Sequence, residues 1–135
     1  MKITVSTTIN APIDQVWSAW TTPEDICKWN AASPEWHTPH ATNDLRVDGK
    51  YSYRMEAKDG SMGFDLNGKY TAVEHHERIE HIFEDDREIT VLFESDGDTT
   101  TITETFDAEN MNPPELQQQG WQAILDNFKA YVESK

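Results

Sequence analysis

Cysteine is nearly absent from this 135-residue chain: Cys27 stands alone and cannot close an internal disulfide. Cations are scarce too. Eleven Lys and Arg stand against 25 Asp and Glu, for a net charge of −14. A nucleic-acid binder needs cations to displace phosphate counterions, and no basic stripe is present. DNA, RNA and anionic membrane surfaces are therefore poor partners. No apolar run approaches the ~18 residues of a membrane span. The first residues, Met1 to Thr8, alternate apolar and polar side chains and lack the apolar block of a secretion signal. These absences point to a cytoplasmic protein, and the acid surplus reads first as a soluble face.

Catalytic signatures are missing as well. Gly60-Ser61-Met62-Gly63 reads as a hairpin turn, not a phosphate cradle. No Gly-x-Ser-x-Gly elbow occurs. Cys27, His37, His40, His75 and His76 do not reproduce a zinc-ligand spacing, and adjacent His75 and His76 should point in opposite directions. Neither a metal nor any other cofactor is implied. A nearby Lys28 could lower the Cys27 thiol pKa; a half-buried small residue is the simpler reading.

What is present is bulk: 5 Trp, 5 Phe and 4 Tyr, enough for the core of one domain over residues 1–135. Ile3, Val5, Thr7 and Ile9 alternate with polar residues, as in a strand. Ala11-Pro12 opens a first helix with Pro at its first position, and Ile13, Val16, Trp17 and Trp20 form its apolar stripe. Thr22-Pro23-Glu24-Asp25 opens a second, with Thr22 as a hydroxyl cap and Ile26 and Trp29 inward. Residues 30–43 read as a loop. From Leu45 onward the period changes to two, with turns at Asp48-Gly49, Asp59-Gly60, His75 to Arg78, Asp85-Asp86 and Asp96 to Asp98. The strands between them lie near 44–48, 50–58, 62–74, 78–84, 87–95 and 99–107, an antiparallel meander with one apolar face. That face carries Tyr51, Tyr53 and Met55; Phe64, Leu66, Gly68, Tyr70 and Ala72; Ile89, Val91 and Phe93; and Ile102 and Phe106. A long helix from Pro113-Pro114 to about Glu133 covers it, through Trp121, Ile124, Leu125, Phe128, Tyr131 and Val132. The class is α+β: strand, two helices, six strands, long helix. Glycine at 68 and 120 should let the sheet bend and the helix approach it. The helix's apolar-poor first half, Glu115 to Gly120, should then roof a cavity, with the void under residues 115–121.

Four segments carry a resemblance. They are Ile9-Asn10-Ala11-Pro12-Ile13-Asp14-Gln15-Val16-Trp17; Arg46-Val47-Asp48-Gly49-Lys50-Tyr51; Gly68-Lys69-Tyr70 with Glu77-Arg78-Ile79; and Gly120-Trp121-Gln122-Ala123-Ile124-Leu125-Asp126-Asn127-Phe128. In this order the chain resembles the family of activators of heat-shock-protein-90 ATPase, within the START-like helix-grip (SRPBCC) superfamily. It departs from the pattern where Asp48-Gly49 replaces a usual pair of glycines. The resemblance implies a helix-grip fold over essentially the whole chain. It implies relatives that bind lipids, sterols or polyketides in a cavity, some of them carriers and some enzymes, and one branch that stimulates a chaperone ATPase. A fold with so many uses does not choose among them.

The expected cavity wall comprises Trp29, Trp36, Tyr51, Tyr53, Met55, Phe64, Tyr70, Gln117 and Trp121, with Glu104 as its polar anchor. Glu104 falls between Ile102 and Phe106 on the apolar face, where a carboxylate must be paired, protonated or wet. His81 alternates with Ile79 and Phe83 and suits proton transfer. Inward-facing His81 and Glu104 could form an acid/base dyad; an arginine partner for Glu104 and a core hydrogen bond for His81 are the plainer readings. Residues 30–43, with Trp36, should form a lid. The leading expectation is a carrier or sensor of a small apolar ligand, monomeric or weakly dimeric. Cyclase- or hydrolase-like catalysis through Glu104 and His81 comes second, and a chaperone partner third.

Overall fold

The computed structural model describes residues 1–135. In chain order the elements are β1 (Lys2–Ile9), α1 (Ile13–Thr21), α2 (Pro23–Trp29), β2 (Trp36–Asn43), β3 (Lys50–Ala57), β4 (Gly63–Glu74), β5 (Arg78–Phe83), β6 (Glu88–Asp96), β7 (Thr99–Asp107) and α3 (Pro114–Glu133). The strands form one antiparallel sheet in the order β1-β7-β6-β5-β4-β3-β2. The first strand thus pairs with the last, from Lys2↔Asp107 to Ile9↔Thr100. The expected α+β order of strand, two helices, six strands and long helix is the observed one.

The strand count matches the expectation, but one strand is displaced. Residues 36–43 form edge strand β2 and not a lid, whereas Leu45 to Asp48 form a turn in which Asp48 adopts a φ of 67°. Pro39 hides this strand in the sequence. It lies where the β2–β3 register shifts between His37 and His40, and an edge bulge tolerates a residue with no N–H to donate. Another bulge, between Tyr70 and Ala72, resets the alternation in β4. Beyond it Val73, rather than Ala72, packs against the core. At the helix starts, Pro12 is the residue before α1 and not its first position, and the Thr22 side chain makes no capping hydrogen bond.

The core joins the strand residues Ile3, Val5, Ile79, Ile89, Val91, Ile102 and Phe106 to Val16, Trp17, Ile26, Leu125 and Phe128 of the helices. Burying such side chains stabilises by about 1.5–3 kcal/mol each. Helix α3 sits at one side of the sheet. Its Gln118, Gln122 and Lys129 side chains donate to the Thr4, Ser6 and Thr8 carbonyls at 3.4, 3.1 and 2.5 Å. Glu133 accepts the Asn10 N–H at 2.8 Å. Four helical residues rise about 6 Å and two strand residues about 6.6 Å, so Gln118 and Gln122 keep step with alternate residues along β1, as do Lys129 and Glu133 further on, where the long lysine side chain reaches back to Thr8. These bonds cover the free edge of β1, which would otherwise template pairing with another chain.

Glycine matters at position 68 for a reason other than bending. Gly68 pairs with Tyr51, and a Cβ there would run into the Tyr51 phenol ring. Gly120 plays no such part, since a Cβ at 120 would meet nothing within 4 Å. Gly68→Ala should destabilise the protein by about 1–3 kcal/mol through overpacking. Gly120→Ala should be neutral or stabilising, because alanine favours the helix by about 1 kcal/mol. Urea unfolding of the two variants checks both; equal losses would contradict this account of Gly68.

Candidate functional site

Because α3 lies against β1, it leaves a hollow over β3, β4 and β5. This cavity has a volume of about 320 Å³. Tyr51, Tyr53 and Met55 of β3, Phe64 and Leu66 of β4, and His81 and Phe83 of β5 form its sheet wall. Glu104 enters from β7, Arg87 from the β5–β6 turn, and Trp20, Trp29 and Asn30 from α1, α2 and the α2 end. Trp121 and Ile124 of α3 close it. Two larger hollows, of about 590 and 700 Å³, are lined by more polar than hydrophobic residues: one lies around Lys50, Lys69 and Asp86, the other around Ser33, Trp36 and Asn127.

Packing fixes the aromatic walls. Trp121 lies flat on Phe106, with centroids 3.8 Å apart. Trp29 stacks on Trp20 at 5.0 Å and donates its indole N–H to the Ala19 carbonyl at 2.9 Å, which leaves its ring face for the cavity. Phe64 is 47% exposed and sits at the rim.

Strand alternation turns Thr100, Ile102, Glu104 and Phe106 inward on β7. Glu104 is paired in register with Val5 on one side and Val91 on the other. It is 8% exposed and has no arginine partner. Burial alone pushes its carboxyl pKa up to about 8, so at neutral pH it is an uncharged acid. Burial also pushes the His81 pKa down to about 3, leaving a neutral imidazole. His81 Nδ1 lies 2.6 Å from the Tyr51 hydroxyl. Burial holds that phenol protonated, and the imidazole tautomer sets which of the two groups donates.

The structure does not form the expected dyad. The His81 hydrogen bond goes to Tyr51. Strand β6 lies between β5 and β7, which separates the two backbones by about 9–10 Å.

Several other expected wall residues lie elsewhere. Trp36 is on β2, beside the groove at the α2 end, with its ring 6.0 Å from that of Phe64. Tyr70 is buried behind Tyr51, 5.2 Å between rings, and donates its hydroxyl to Asn43. Gln117 ties down the loop before α3: it accepts the Glu109 N–H at 2.9 Å and donates to the Glu109 and Asn112 carbonyls at 3.0 and 2.8 Å. The roof is therefore Trp121 and Ile124, and not residues 115–120. The structure does bring Trp29, Tyr51, Tyr53, Met55, Phe64, His81, Glu104 and Trp121 together.

Sequence reasoning left Trp20, Asn30, Leu66, Phe83, Arg87 and Ile124 out of the site. Trp20, Leu66 and Ile124 belonged to the apolar stripes, so their periodicity could have placed them. Arg87 gave no such signal: a turn sets it, with Nε 2.8 Å from Asp85 and the guanidinium 5.0 Å over the Phe83 ring. His75 and His76 do not diverge. A left-handed His76 (φ 66°) stacks the two rings 3.8 Å apart beside Trp17. Burial raises the Cys27 thiol pKa, aided by Glu24, against the opposing pull of Lys28. No three His, Cys, Asp or Glu side chains gather where they could hold a metal ion. No helix is long and apolar enough to cross a membrane.

The raised Glu104 pKa fixes a pH dependence. The folded protein keeps the proton up to about pH 8, whereas the unfolded chain releases it near its ordinary value of about 4.3. Stability therefore falls as pH rises through that window. Glu104→Gln should raise the melting temperature at about pH 8, by the equivalent of a few kcal/mol, and much less at about pH 4. Calorimetry at the two pH values checks this; a difference independent of pH would contradict it.

Residues 10–133 match the family model for activator of Hsp90 ATPase homolog 1-like proteins. The solution structure of an AHSA1-like protein from Aeromonas hydrophila is 48% identical and superposes with a TM-score of 0.93, covering 99% of this chain and 93% of that one. A solution structure from Cytophaga hutchinsonii is 51% identical, with a TM-score of 0.86 over 98% of this chain and 92% of its own. A Chromobacterium violaceum protein shares the fold at 23% identity and a TM-score of 0.85, covering 98% of each chain. No curated protein matches the chain.

Proposed function

The chain belongs to the activator of Hsp90 ATPase homolog 1-like family, and from that premise we propose that it binds a small apolar molecule, lipid, polyketide or flavonoid-like, as a carrier or sensor. The cavity of about 320 Å³ carries this reading. Its size lies at the lower end of ligand sites, about 300–1,000 Å³, and exceeds the roughly 150 Å³ that suffices for benzene. Its walls are mainly aromatic and aliphatic, with few polar groups, as in sites that bury most of a ligand. A catalytic reading needs convergent acid and base groups, and the two candidates do not meet.

The family name supports a second reading, stimulation of a chaperone ATPase. A net charge of −14 suits a basic partner surface. Such docking would use the exterior and would not respond to occupants of the cavity.

A panel of flavonoids, fatty acids and sterols, with N-phenyl-1-naphthylamine as a fluorescent probe, tests the binding reading. A ligand at a hundredfold excess over its Kd adds about 2.7 kcal/mol, or roughly 10 °C in melting temperature. At least one class should do this to the native chain. Leu66→Trp, which fills the hollow, should abolish the shift. If no class changes melting or probe fluorescence, the carrier reading fails.

A further inference from the structure

Glu104 is the cavity's unpartnered acid. It is 8% exposed, in register between two valines, and its side chain lines the hollow. Several other polar groups of the wall are engaged. The Tyr51 hydroxyl is hydrogen-bonded to His81 Nδ1, the Trp29 indole donates to Ala19, and Arg87 Nε to Asp85. The Asn30 amide meets the Met55 sulfur at 3.3 Å and Thr38 at 3.4 Å. The Glu104 carboxyl therefore faces the hollow without a protein partner, free to bond an occupant that offers the right atom.

Resting on the binding reading above, we infer that the cavity selects planar apolar molecules that carry a neutral hydrogen-bond acceptor, a carbonyl oxygen, and that the Glu104 carboxylic acid is the donor that reads it.

Two observations define the guest: the acid calls for an acceptor and the walls for a flat shape. Burial keeps the Glu104 proton in place at neutral pH, so the group offers an O–H. The aromatic walls favour a flat guest.

The groups facing Glu104 set the pH response. Val5 of β1 and Val91 of β6 flank it and do not titrate. Trp121 and Ile124 of α3 are apolar. Across the cavity stand Tyr51 and Tyr53, both held protonated by burial, the neutral His81, and the guanidinium of Arg87, paired with Asp85. Between mildly acid and alkaline pH, Glu104 is therefore the wall group that changes charge. Above about pH 8 it becomes a carboxylate and loses its donor. A carbonyl guest then faces a negative charge and leaves more readily.

Three probes of one shape test this: 2-acetylnaphthalene, 2-isopropylnaphthalene and 1-(2-naphthyl)ethylamine. Their affinities are measured by NMR or calorimetry at about pH 6.5 and about pH 9.5, on the native chain, Glu104→Gln and Glu104→Leu. The ketone should bind the native chain about three- to tenfold more tightly than the hydrocarbon at the lower pH, the worth of one hydrogen bond, and lose that margin at the higher. Glu104→Gln keeps an N–H donor and should hold the preference at both pH values. Glu104→Leu should bind ketone and hydrocarbon alike, and decides the matter if the glutamine variant does not fold. Equal ketone and hydrocarbon affinity in the native chain at both pH values would overturn the donor role and leave the binding reading standing. Tightest binding of the amine, growing at the higher pH, would overturn it in favour of a cation site. Failure of all three to bind the native chain would overturn the inferred selection of planar carbonyl compounds, while the binding reading stands or falls with the wider ligand panel.

Discussion

The interior depends on where α3 is fastened. Its side chains bond along the free edge of β1, Gln118 to Thr4, Gln122 to Ser6 and Lys129 to Thr8, and Glu133 closes the row at Asn10. That row keeps the helix at one border of a seven-stranded sheet. Leu125, Phe128 and Val132 can then seal the core near β1 and the two short helices. They cannot also reach β3 and β4 at the far side. One solution protects an exposed strand edge and leaves a room inside, so the cavity follows from the packing.

Inside that room, opposite ionisations lead to the same neutrality. Burial raises the Glu104 pKa to about 8 and lowers the His81 pKa to about 3. Both side chains are uncharged at neutral pH, and neither charge is offset by the other, because β6 stands between their strands. The two groups act on stability with opposite sign. Glu104 costs stability as pH rises towards 8, whereas His81 costs it as pH falls below its ordinary value. A core built only for stability would hold leucine at both positions. The Tyr51–His81 bond holds two wall rings in place, and Gly68 makes room for the tyrosine to lie as it does.

Much of this was legible in the sequence because it is periodic. The α3 stripe, the alternation that turns Glu104 inward and the order of elements follow from periods of 3.6 and two. The illegible parts are those where one residue breaks the period. Pro39 sits in a bulge and disguises β2 as a loop. The irregularity after Tyr70 exchanges Ala72 for Val73. Left-handed His76 brings two rings together that simple alternation would part. Distance along the chain misled at α3: Gln117 looks like part of a roof, yet its amide finds three backbone partners in the adjoining loop. Arg87 reaches the wall from a turn, which no periodicity governs.

The family relationship fixes the fold, and the chemistry of the cavity is left to its own side chains. Everything proposed for the site requires that the hollow be dry enough to keep a carboxylic acid uncharged beside valines. The carbon-13 chemical shift of the Glu104 side-chain carboxyl, followed by NMR through a pH titration, reports this directly. The account predicts a midpoint near pH 8. A midpoint near the ordinary glutamate value of about 4.3 would contradict it, since that would place water or a positive charge against the carboxylate and make the cavity a wet cleft.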